Sequence, residues 1–187
     1  MSTGDDHAEL CLRLARAAVA GGRWAAAEAY VERAGRPDDP RSRVLVADAA
    51  YGAGDVGRAV AMARAAERAA ESDPAMLCEA LMVLSRASFA VDLPAAWTAV
   101  RRVAQVGAEH GLTQWQVEAL FGLGSLEHTA GHPAAPGLTA ARELALRTGM
   151  LAHALQVDLV RSNAVMVVDG PRAALPLILR TAEHAGR

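Results

Sequence analysis

At 187 residues the chain can form one sizeable domain or an elongated array of smaller units. Apolar residues supply 52% of it and aromatics only 4%, so its core must be built from Ala, Leu, Val and Met, a composition that favours helix. The net charge is −2 and Lys is absent, which gives no general attraction for phosphate backbones and argues against direct nucleic-acid contact by this chain.

Taken in order, the first expected helix runs from Asp6 to Ala20, with Asp5 or Asp6 as cap and Leu10, Leu14 and Val19 as its apolar side. Gly21 and Gly22 stop it, and Trp24 to Ala34 forms a second, ended by Gly35-Arg36-Pro37. Pro40 opens a third, which breaks at Gly52-Ala53-Gly54. Asp55 caps a fourth that buries Val60, Met62 and Ala66. Asp73-Pro74 is a cap followed by a proline at the first helical position, opening a fifth helix, the most apolar so far, with Leu77, Leu81, Met82 and Leu84. Pro94 starts a sixth helix, Thr113 caps a seventh, and an eighth follows the break at Gly131-His132-Pro133. Met150 to Val168 and Arg172 to Ala185 complete the series, with Pro136 and Pro176 expected near first turns, where a missing N–H is tolerated. No long linker interrupts this pattern, so residues 1–187 are read as a single all-α domain.

The breaks repeat. Gly22, Gly54, Asp92, Gly131 and Gly170 are separated by 32, 38, 39 and 39 residues. Ala pairs follow four of them: Ala26-Ala27, Ala95-Ala96, Ala134-Ala135 and Ala173-Ala174. A large residue beside a small one precedes four: Leu14-Ala15, Val46-Ala47, Leu84-Ser85 and Leu123-Gly124. Ser162-Asn163 occupies that place in the last pair. The large residue is expected to fill the space between paired helices and the small one to let them approach. The fold expected is a right-handed solenoid of about five antiparallel helical hairpins.

This pattern resembles the tetratricopeptide repeat, whose Leu-Gly, mid-hairpin Gly and second-helix Ala are matched by Leu123, Gly124 and Gly131, with Ala135 one position early. The longer, Ala- and Arg-rich form resembles the helical arm of large bacterial LuxR-family regulators of the MalT type. Leu138-Thr139-Ala140-Ala141-Arg142-Glu143-Leu144-Ala145 and Ala182-Glu183-His184-Ala185-Gly186-Arg187 carry the likeness. The resemblance implies a non-catalytic, cytoplasmic sensing or protein-interaction segment that controls attached ATPase and DNA-binding modules. No GxxxxGK[ST] is present, so the chain is expected to be a piece of a longer protein. A free-standing adaptor for a partner peptide is the alternative.

Chemistry-bearing patterns are few. Gly52-Ala53-Gly54-Asp55-Val56-Gly57 spells GxGxxG, but Val44-Leu45-Val46 ends too early to be the preceding strand, and an interhelical turn is expected. His128 and His132 are four apart, with a helix end expected between them and no third ligand, so no metal site is expected. His7, His110, His153 and His184 are expected near helix ends, on terminal carbonyls. Cys11 and Cys78 are expected as reduced core thiols, and Trp24, Trp97 and Trp115 as wedges between neighbouring helix pairs. No stretch is long and apolar enough to span a membrane, and nothing implies a cofactor.

The candidate ligand surface is the face lined by the first helix of each pair. Six residues before the breaks stand Arg16, Asp48, Arg86 and Ser125; three before stand Val19, Tyr51, Phe89 and His128. Stacked, these make one charged row and one increasingly aromatic row. Such a groove would take an extended peptide or small effector, with Arg16 and Arg86 gripping carboxylates. The competing expectation is local pairing, Arg16 with Glu9 and Arg86 with Glu79. Leu175, Leu177, Ile178 and Leu179 put apolar groups nearly all round the final helix, a surface expected to meet another repeat or a second copy of the chain.

Overall fold

A computed structural model describes residues 3–132 and 136–185. Among these lie ten α-helices and no strand: α1 (Thr3–Ala20), α2 (Trp24–Ala34), α3 (Pro40–Gly52), α4 (Val56–Ala69), α5 (Pro74–Ser88), α6 (Leu93–Glu109), α7 (Thr113–Thr129), α8 (Pro136–Arg147), α9 (Leu151–Asp169) and α10 (Pro171–Ala185). The chain is all-α. The expected Ala134-Ala135 pair, Pro133, Gly186 and Arg187 lie outside the described residues, as do the side chains of Glu183 and His184.

Local chemistry sets most boundaries. Asp39, Asp55 and Asp73 each accept a backbone N–H from the first turn of the helix they precede, and Pro40 and Pro74 supply the fixed φ of a first helical residue. Asp92 does the same for α6, accepting the Ala95 N–H at 3.0 Å, so that helix begins at Leu93 rather than Pro94. Other starts differ from expectation. Helix α1 begins at Thr3, which places Asp5 and Asp6 inside its first turn, where their charges favour the positive end of the helix dipole instead of capping. Thr113 is the first residue of α7, and Leu112 takes the cap position without a side-chain bond. Pro136 opens α8, but Pro176 sits inside α10, because that helix starts at Pro171. Four breaks turn through left-handed glycines: Gly22, Gly54, Gly131 and Gly170.

Two compact units make up the chain, Met1–Val106 and Gly107–Arg187. In the first, α1 packs on α2 and α3, α3 packs on α2, α4 and α5, and α4 also meets α5. Helix α5 carries nine buried residues, and Ser85 ties it to α6 by donating to the Ala96 carbonyl at 3.1 Å. In the second unit α7 packs on α8 and α9, α8 on α9, and α9 on α10. Its core gathers Leu138, Ala141 and Val157, with Val117, Ala145 and Ala154 beside them.

Small residues occupy the buried position that recurs before the breaks. Ala15, Ala47, Ser85 and Gly124, seven residues before their breaks, are all buried. Their large neighbours are not uniformly so: Leu84 is buried, Val46 and Leu123 are half-buried, and Leu14 is exposed. The expectation that the large residue fills the interhelical space fails for Leu14. Ala15 is the buried residue of that pair, and Leu14, about 100° away around α1, is turned outward. Leu10 is exposed for the same reason; α1 instead buries Ala8, Cys11, Leu12, Ala15 and Ala18, spaced at three and four residues. Helix α4 likewise buries Ala59, Ala63 and Ala66 and leaves Val60 and Met62 half-buried.

The last pair is displaced by one residue. Ser162 is buried and Asn163 exposed, the reverse of the earlier order. Only Gly170 separates α9 from α10, whereas three residues separate α1 from α2. Helix α9 therefore runs one residue closer to its break, and its buried position moves back by one.

Candidate functional site

Helices α1, α3 and α5 bring the charged row of the first unit together. Arg16 on α1 pairs with Glu79 on α5 at 2.7 Å, and the Arg86 guanidinium on α5 donates to Asp48 on α3 at 2.5 Å. Local pairing of Arg16 with Glu9 and of Arg86 with Glu79 does not occur. Glu9 pairs instead with Arg41 at 2.7 Å. Glu79 and Arg86 stand seven residues apart on one face of α5, two turns along the helix. At these two levels Glu79 meets the Arg16 side chain from α1 while Arg86 meets Asp48 on α3.

The carboxylates are the sheltered partners. Asp48 and Glu79 keep 19% and 17% of their side-chain exposure, against 49% and 55% for Arg86 and Arg16. Burial pushes the Asp48 carboxyl above its ordinary value, a shift that Arg86 opposes, Glu79 reinforces and Arg16 opposes least. The four groups thus act on one another as a single patch. Both guanidiniums already hold a carboxylate, and roughly half of each side chain still faces solvent.

Beside this patch Tyr51 and Phe89 are exposed by 41% and 39%, each one turn beyond its charged neighbour. Val19 is half-buried. Ser125 and His128 belong to the second unit. The Ser125 hydroxyl donates to the Phe121 carbonyl of its own helix at 2.8 Å, so it is not a free ligand group. The half-buried His128 ring keeps a buried Nδ1 without a partner.

The remaining motifs resolve into packing. Val44-Leu45-Val46 is helical, and Gly52 lies beneath the Trp24 indole: a Cβ built there would stand 2.5 Å from the ring. The first Gly of the GxGxxG pattern serves that contact, and Trp24 is a wedge between α2 and α3, as expected. Trp97 is covered by the Arg101 guanidinium, 5.2 Å from its centroid. Helix α7 ends at Thr129, so His128 and His132 do not share a helical face. His153 pairs with Glu118 on the adjacent helix at 2.9 Å and caps no carbonyl; His7 contacts Cys11 Sγ at 3.6 Å. Cys11 and Cys78 are free and buried. Among the described residues no group of three or more His, Cys, Asp or Glu is placed to hold a metal ion, and no helix is long and apolar enough to cross a membrane.

No protein-family model matches the chain, and a search of curated proteins finds no significant match.

Proposed function

We propose that the chain is a non-catalytic helical-repeat segment that binds a protein partner or small effector, working in the cytoplasm as part of a LuxR-family regulator of the MalT type. Regular spacing of the breaks supports a tetratricopeptide-like, right-handed stack of helix pairs. So do the contacts of odd-numbered helices with one another, α1 with α3, α3 with α5, and α7 with α9. The observation that carries the binding role is the charged patch of Arg16, Asp48, Glu79 and Arg86, flanked by exposed Tyr51 and Phe89.

An extended peptide laid across such a patch would exchange a carboxylate with Arg16 or Arg86 and stack an apolar side chain on Phe89 or Tyr51. Occupancy would then change the spacing of α1, α3 and α5, and many small rotations along an array add up to a signal for attached ATPase and DNA-binding modules. Helix α10 exposes Leu175, Ile178 and Leu179 and is the surface proposed for association with a second copy.

A random peptide library panned on the purified chain tests the patch. Acidic peptides that bind the wild type and are lost on both Arg86→Ala and Phe89→Ala support it. Peptides that bind both variants as well as the wild type overturn it.

A further inference from the structure

Other residues of α3 line a separate cleft in the first unit. It has a volume of about 350 Å³ and lies among α2, the turn at Gly35–Pro37, α3 and α4, with Val31, Val46 and Met62 supplying apolar wall. That size falls at the lower end of small-molecule sites, which are mostly apolar with a few fixed polar groups.

One such polar group is Ser42. It lines the cleft, is 1% exposed, and its hydroxyl has no hydrogen-bond partner. The hydroxyls of Ser125 and Ser162 turn back to the carbonyl four residues earlier in their helices, whereas Ser88 on α5 is, like Ser42, buried without a partner. Ser42 is the third residue of α3, so that carbonyl belongs to Asp38, outside the helix, and the bond is not made. A buried hydroxyl left unpaired is costly, and a ligand atom would relieve it.

The charges at the rim select the ligand's sign. Each guanidinium nitrogen of Arg43 donates once, to the Pro37 and Ala65 carbonyls and to Asp38. Arg58 pairs with Glu28, and Arg36 with Asp5. Glu32 alone among the rim charges has no ion-pair partner among the described residues, and it is exposed. The unmatched charge of the cleft is negative.

We propose that this cleft binds a small organic ammonium ion, its apolar body against Val31, Val46 and Met62, a polar tip bonded to Ser42, and its ammonium beside Glu32. Three probes of matched shape test it by calorimetry on the full chain: tyramine, 2-phenylethylamine, and 3-(4-hydroxyphenyl)propanoate. Tyramine should bind about fivefold more tightly than phenylethylamine, which lacks the hydroxyl, and the propanoate should not bind at matching concentration. Ser42→Ala should bring the two amines to equal affinity, with a melting temperature no lower than wild type. Glu32→Gln, at an exposed site, should weaken both amines by about threefold and preserve their ratio. Equal binding of the two amines to the wild type, binding of the acid as well as the amine, or no tyramine binding at millimolar concentration would each overturn the proposal.

Discussion

Gly124 of α7 and Gly137 of α8 meet backbone to backbone. A Cβ on Gly124 would stand 2.3 Å from the Leu138 nitrogen, and one on Gly137 would stand 2.6 Å from the Gly124 nitrogen. Neither clash involves only the tip of a flexible side chain, so the helices would have to separate. The small member of the Leu123-Gly124 pair thus allows the close approach expected of it, with Gly137 as its partner on α8.

Gly124→Ala and Gly137→Ala should each destabilise the protein by about 3 kcal/mol or more, at the upper end of overpacking costs. Gly131→Ala is the control. That residue has φ +86° and open space around it, so its cost should be about 1–2 kcal/mol, from the left-handed backbone alone. Urea unfolding of the three variants checks the order, and equal losses would contradict the packing.

Gly52 offers a change of sign. It is helical, so Ala there should gain up to about 1 kcal/mol in propensity, but its Cβ would enter the Trp24 ring. Gly52→Ala should therefore destabilise the wild type yet become neutral or stabilising in a Trp24→Ala background. A double-mutant cycle measures the coupling; additive effects would remove the contact as the explanation.

Asp48 links the charged patch to pH. Its folded carboxyl titrates above the ordinary value, so the protonated form favours folding: that contribution is present below the unfolded carboxylate range and lost as pH rises through the folded value. Against Asp48→Asn, the wild type should become relatively more stable as pH falls from 7 towards about 4. Arg86 remains half in water, so the variant should differ at pH 7 by no more than about 1 kcal/mol. A loss above roughly 3 kcal/mol would mark a buried pair instead.

Asp39 runs the other way. Burial would raise its carboxyl, but hydrogen bonds from the Arg41 side chain and N–H and the nearby charges of Arg41 and Arg36 outweigh it, leaving the group below its usual value. Its stabilisation is present above the unfolded carboxylate range and lost as pH falls through the lower folded value. Asp39→Ala removes the cap of α3 and should cost about 1–2 kcal/mol at pH 7, with the difference from wild type shrinking below about pH 4 in acid-unfolding curves.

Cys78 is fully buried and its thiol is pushed up to about 11 by burial, against the opposing charge of Arg102. Because the thiolate is the nucleophile, Cys78 should resist a thiol reagent at pH 8 in the native protein and react once urea unfolds it. Reaction at the native rate of a free thiol would contradict this burial.

The sequence by itself determined the helical class, the places where the chain breaks, and the aspartate and proline starts of α3, α4 and α5. These follow from backbone preferences and from side chains that bond within a turn of themselves. It also placed Arg16, Asp48 and Arg86 on positions that recur before the breaks. Which charges pair was decided only by tertiary structure: Glu79 meets Arg16 from α1, and Arg86 meets Asp48 from α3. The same holds for the exposure of Leu14, the meeting of Gly124 with Gly137, and the unpartnered hydroxyl of Ser42. A periodic pattern fixes which residues share a face. The angle and separation at which two helices cross then select the one residue on that face that is buried, and those distances arise between segments the sequence does not set side by side.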